Sequence, residues 1–136
     1  MKVTVCRELY FNAAHRIYNP NWDDNKNLEV FGLCSLPNFH GHNYKLIVKL
    51  TGEINPETGY VFDLNELKEI AEQHIINRYD HKNLNLDVTD FAGIIPSAEN
   101  IAVMIWKILR NKINSEFEVH IVLYETDRNF VEYSGS

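Results

Sequence analysis

The sequence predicts an α+β domain in which an antiparallel sheet carries two helices on one face. Three observations predict it. Alternating apolar and polar residues recur over 2–12, 42–53, 117–125 and 129–134, and period-two alternation marks a half-buried strand. Residues 64–78 and 97–113 instead place their apolar residues at helical spacing. Short, turn-rich connections separate neighbouring strand runs, which joins such strands antiparallel.

Taken in order, residues 2–12 form the first strand. Residues 17–32 follow as a long polar loop containing Asn19-Pro20-Asn21 and Asp23-Asp24-Asn25, and long loops in compact domains usually carry function or are disordered. Residues 42–53 form a second strand. Asn55-Pro56-Glu57-Thr58-Gly59 reads as a turn into a third strand at Tyr60-Val61-Phe62, the two making a hairpin. Asp63, with Glu66 three residues on, reads as a helix N-cap. Leu64, Leu67, Ile70, Ala71, Ile75 and Ile76 then keep one helical face to about residue 78. Residues 79–87 are a polar loop. Ser97 caps the second helix, whose stripe is Ile101, Met104, Ile105, Ile108, Leu109 and Ile113. Thr126-Asp127-Arg128 joins the last two strands in a tight hairpin. The order β, β-β, α, α, β-β leaves one sheet face and two edges without cover, which points to oligomerisation.

At 136 residues the chain reads as a single domain, 1–136. Its apolar content of 45%, with 12% aromatic residues, is that of a packed globule. The net charge of −6 argues against non-specific binding to nucleic acid or a membrane surface; an anionic small substrate would need a local cluster of cations or a metal. Two cysteines, Cys6 and Cys34, do not make a disulfide framework. No apolar leader and no transmembrane-length run is present, so a soluble, cytoplasmic protein is expected.

The chemistry concentrates between Cys34 and Tyr44. His40 and His42 flank Gly41 where a strand begins. Alternate strand residues share a face and stand roughly 6.5 Å apart, so two imidazoles can converge on one zinc ion. His15 is a third candidate, and three histidines with an open position suit a catalytic zinc. The plainer reading is that these are polar residues of a half-exposed strand. Cys34 lies between the turn residues Gly32 and Pro37, and a thiol beside a metal or a cation ionises near neutral pH. The adjacent Asp80 and His81 read, by themselves, as a helix C-cap feature, and His74 as an ordinary helical residue.

Six segments together resemble the 6-pyruvoyl-tetrahydropterin synthase superfamily, which includes the 6-carboxy-tetrahydropterin synthases of queuosine biosynthesis. They are Phe11–Arg16, Val30–Cys34, Pro37–Tyr44, Asp80–Leu84, Ala98–Asn100 and Tyr124–Asp127, spread over almost the whole chain. The resemblance implies a tunnelling fold (T-fold): a four-stranded antiparallel sheet of two hairpins with two helices, three copies closing a barrel and two trimers stacking into a homo-hexamer. It implies zinc held by His15, His40 and His42, Cys34 as catalytic base, Asp80 and His81 as its relay, and Glu125 as the pterin anchor with Glu99 nearby. It implies sites at subunit interfaces and 7,8-dihydroneopterin triphosphate as substrate. Arg16, Lys26, Lys45, Lys82 and Arg128 are the cations available for the triphosphate. Leu33 stands where the family usually has lysine, and Phe39 where glycine is common. The six-position gap from Cys34 to His40 favours the pyruvoyl-forming activity over the carboxy-forming one. A non-catalytic pterin or purine binder would be expected to lack Cys34 or a zinc histidine.

Overall fold

The chain runs β1 (Lys2–His15), α1 (Asp24–Phe31), β2 (His40–Glu53), α2 (Leu64–Ala71, prolonged by a π-helical turn Glu72–Ile76 and a last turn Asn77–Tyr79), β3 (Lys82–Asn83), α3 (Ala98–Arg110), β4 (Glu118–Tyr124) and β5 (Phe130–Tyr133). The computed structural model describes all residues, Met1–Ser136. The strands lie in the order β3-β1-β2-β4-β5. β1 and β2 pair antiparallel along their whole length, from Lys2 opposite Glu53 to His15 opposite His40. β4 pairs antiparallel with β2 and with β5. The expected α+β sheet of two hairpins is present, and the two-residue β3, parallel to β1 at Ala13 and Ala14, adds a short edge.

Two local expectations are corrected. Tyr60–Phe62 is not a strand: β2 already has β1 on one side and β4 on the other, so no edge remains for it. The segment instead closes on itself, with Asn55 N–H donating to the Tyr60 carbonyl and Gly59 N–H to that of Asn55. The supposed loop 17–32 contains α1, capped by the Asp23 carboxylate, which accepts from Lys26 N–H at 2.7 Å. α1 ends at Gly32, whose φ of 61° is open to glycine at little cost.

Leu9, Phe11 and Ala13 of β1, and Tyr44, Leu46, Val48 and Leu50 of β2, are buried on the face that meets the helices. α2 answers with Leu67, Ala71, Ile75 and Tyr79, and α3 with Ile101, Ala102, Ile105 and Leu109, all buried. Each large side chain so buried stabilises the fold by roughly 1.5–3 kcal/mol. Asp63 and Ser97 cap the two helices, accepting from Asn65 N–H and Asn100 N–H. The other sheet face is open, with Thr4, Cys6, Glu8, Tyr10 and Asn12 exposed. No helix is long and apolar enough to cross a membrane. The end of β1 and the start of β2, on the helix side, carry the site.

Candidate active site

Strand alternation and register bring three histidines together. His40, His42 and Tyr44 fall on the same face of β2, and the ladder sets His15 opposite His40 and Ala13 opposite His42. One nitrogen from each of His15, His40 and His42 lies within 4.8 Å of the others, so the group can hold a metal ion. His15 is 1% exposed. Its Nδ1 is 2.8 Å from the carbonyl of Pro96; a carbonyl only accepts, so Nδ1 carries the proton and Nε2 keeps its lone pair. The Tyr44 hydroxyl approaches the same Nδ1 at 3.3 Å. Nε2 of all three histidines is buried without a hydrogen-bond partner, an unusual cost unless something else binds there. Burial pushes His15 down to about 4, with the Pro96 carbonyl partly opposing and the neighbouring His40 and His42 reinforcing. Burial also lowers His42, against the attraction of Glu125 and with the help of His40. Neutral imidazole is the form that ligates metal.

Beside the histidines opens a cleft of about 600 Å³, lined among others by Cys34, Ser97, Glu99, Glu125, Arg128 and Phe130. Cys34 is exposed and sits in the single 3-10 turn Gly32–Ser35 that follows α1. That turn is tied down at three points: Ile17 N–H donates to the Cys34 carbonyl at 2.8 Å, Arg16 Nε to that of Ser35 at 2.6 Å, and the Ser35 hydroxyl to that of Gly32 at 2.8 Å. Glu125 follows β4, its N–H donating to the Asn129 carbonyl. The Thr126 hydroxyl accepts from the N–H groups of Arg128 and Asn129, closing the turn. One tight hairpin therefore sets Glu125, Arg128 and Phe130 on the same rim. Glu125 also stands 3.9 Å from Nε2 of both His15 and His42, linking histidine cluster and cleft.

A family model described as 6-pyruvoyl tetrahydropterin synthase matches residues 4–136. The chain belongs to the 6-pyruvoyl tetrahydropterin synthase family. The 6-pyruvoyl tetrahydrobiopterin synthase of Pongo abelii is 46% identical over 131 residues, 96% of this chain and 90% of that protein. The structure of Caenorhabditis elegans 6-pyruvoyl tetrahydropterin synthase matches with a TM-score of 0.93 at 36% identity, covering 100% of this chain and 97% of that one. A putative 6-carboxy-5,6,7,8-tetrahydropterin synthase of Archaeoglobus fulgidus is 36% identical over only 73 residues, 54% of this chain and 57% of that protein.

Not every residue singled out for a role in this 6-pyruvoyl tetrahydropterin synthase family member reaches the cleft. Asp80 and His81 do not line it. They sit beside β1, where Asp80 Oδ1 accepts from Asn12 N–H at 2.8 Å and His81 N–H donates to the Asn12 carbonyl at 2.6 Å. Nδ1 of His81 lies 2.8 Å from the Asp80 carboxylate. The Asn12 N–H, then the His81 ring, hold the Asp80 carboxyl below its usual range. Among the cations, Arg128 alone lines the cleft, and its guanidinium makes no hydrogen bond or ion pair. Arg16 is bound to Ser35 and stacked on Tyr18, Lys26 lies over Trp22, Lys45 over Tyr124, and Lys82 is exposed on β3. Phe39 has a φ of 66°, a backbone state that costs a residue with a Cβ roughly 1–2 kcal/mol and glycine little. Sequence reasoning missed the Pro96 carbonyl and Tyr44 as supports of His15. No side-chain signal reveals a backbone acceptor, and Tyr44 reads as one more apolar strand position.

Proposed function

We propose that the protein converts 7,8-dihydroneopterin triphosphate to 6-pyruvoyl-tetrahydropterin with release of triphosphate. The observation that carries the reading is the convergence of three unpartnered Nε2 atoms, two of them 3.9 Å from Glu125, which itself lines the neighbouring cleft together with Cys34. Zinc is the metal the all-imidazole set suits, and when bound there it supplies Lewis acidity toward the oxygens of the substrate side chain. Glu125 matches the paired N–H donors of the pterin's pyrimidine edge with two carboxylate oxygens, and Glu99 lines the same wall. Cys34, held on its fastened turn, is the base that takes a side-chain proton. Arg128 is the cation that would meet the triphosphate; the other charged side chains of the cleft are the carboxylates of Glu99 and Glu125.

Asp80 holds His81 in orientation and would stabilise its charged form, as carboxylates do for histidines in triads. The pair's position outside the cleft of its own chain supports a site completed by a neighbouring copy. The open sheet face supports the same assembly, a homo-hexamer built as a dimer of trimers. The part-length match to a carboxy-forming relative, set against near-full-length matches to pyruvoyl-forming ones, favours the pyruvoyl product. The test joins metal content to turnover. One zinc per chain is expected in the wild type and little in His40→Ala; a full complement in that variant overturns the ligand assignment. Absence of triphosphate release by the zinc-loaded wild type overturns the activity.

A further inference from the structure

Glu125 stands where two demands meet. Its Oε2 lies 3.9 Å from Nε2 of His15 and its Oε1 lies 3.9 Å from Nε2 of His42. Neighbouring ligand atoms around a tetrahedral zinc, with bonds of about 2.0–2.2 Å, stand roughly 3.3–3.6 Å apart. The carboxylate is therefore close to ligand spacing from two of the three histidines before any ion has drawn the groups inward. Its side chain is only 27% exposed and accepts no hydrogen bond from any residue of the chain. A carboxylate to which the chain offers no donor keeps both oxygens free for an incoming partner. Two occupants would satisfy it, a metal ion on the histidine side or N–H donors on the cleft side, where Cys34 and Glu99 stand.

We infer that Glu125 serves both sides in turn. In the pterin-free protein its carboxylate closes the fourth position of the histidine site; when a pterin ring arrives, the carboxylate is handed to the ring's N–H donors and that position is left open. The inference rests on the pterin reading above and adds an exchange to it. Two ligands that compete for one carboxylate weaken each other equally, by linkage.

The experiment measures zinc affinity by competition with a chromophoric chelator, for the wild type and for Glu125→Gln. Each is measured alone and with saturating 7,8-dihydropterin, which has the ring but no side-chain hydroxyls. Glu125→Gln keeps the size of the side chain, and its metal-free form should melt as the wild type does. Its zinc affinity should fall by at least the roughly 10–100-fold that loss of a group merely supporting a ligand costs. Dihydropterin should weaken zinc binding by the wild type and leave the variant unaffected. Undiminished zinc affinity in Glu125→Gln overturns the closing role. Undiminished zinc affinity of the wild type with dihydropterin bound overturns the exchange. Failure of the pterin reading shows separately, as no dihydropterin binding to the wild type and no triphosphate release from the phosphorylated substrate.

Discussion

Replacing His15 with asparagine should flatten the acid side of the metal-free protein's stability curve. The unfolded chain carries this imidazole at 6.5, and burial in the fold takes it down to about 4. Above pH 6.5 it is neutral in both states and contributes no slope. Below 6.5 the unfolded chain takes up a proton that the folded chain refuses, so stability falls with pH until about 4. At ~1.4 kcal/mol per pH unit, the loss over that window is about 3 kcal/mol. His42, lowered in the same direction, titrates in both proteins, so the difference between them reports His15 together with its coupling to its histidine neighbours. Asp80 and Asp90, both held below the ordinary carboxylate range, act only at lower pH. The assay is urea unfolding with a chelator present, at intervals from pH 7 to 4.5. The wild type should lose most of that 3 kcal/mol more than His15→Asn. Parallel curves would refute the reasoning, because they would mean that the imidazole is no more buried in the fold than in the unfolded chain.

Cys34→Ala should keep fold and zinc while losing 10²–10⁴-fold in turnover, roughly 3–5 kcal/mol of barrier, with Cys34→Ser nearly as poor; near-normal turnover would move the base role to His81. Cys34 is exposed, so iodoacetamide should alkylate it and inactivate the enzyme, with substrate shielding it in a peptide map. If the site spans two copies, mixing inactive Cys34→Ala and His81→Ala proteins through dissociation and reassembly should restore part of the activity, and an inactive mixture would place the relay elsewhere. Arg128→Ala should raise KM for the triphosphate substrate about tenfold or more, the worth of a charge-assisted hydrogen bond, while leaving the affinity for dihydroneopterin, which has no phosphate, unchanged; equal losses for both ligands would contradict the assignment.

Much of this was legible in the chain because regular periods leave regular marks. The alternation of β1, β2 and β4 and the apolar stripes of α2 and α3 each recur over several turns or pleats, and the capping residues Asp63 and Ser97 stand where the helices begin. α1 was not legible: eight residues, rich in Asn, Asp and Lys, bury only Asn27, so no apolar stripe announces it. Tyr60–Phe62 misled because an apolar run after a turn looks the same whether or not an edge awaits it; Val61 is buried and Phe62 packs on Phe117 without any ladder. The histidine spacing foretold convergence because β1 and β2 meet in a register that sets His15 opposite His40. The pairing of Glu125 with the histidines depends on the register of a third strand, β4, which local pattern does not encode. Asp80 and His81 show the same limit: by themselves they read as a helix C-cap feature, the relay being what the family resemblance implies, and their place outside the cleft comes from the path of the chain after α2.

Product identity is the most direct measurement. Purified zinc-loaded protein is incubated with 7,8-dihydroneopterin triphosphate under anaerobic conditions, and the pterin product is resolved by mass spectrometry beside the Cys34→Ala protein. The expected result is 6-pyruvoyl-tetrahydropterin with stoichiometric triphosphate from the wild type, and neither from the variant. A 6-carboxy-tetrahydropterin product, or substrate recovered unchanged, would contradict it.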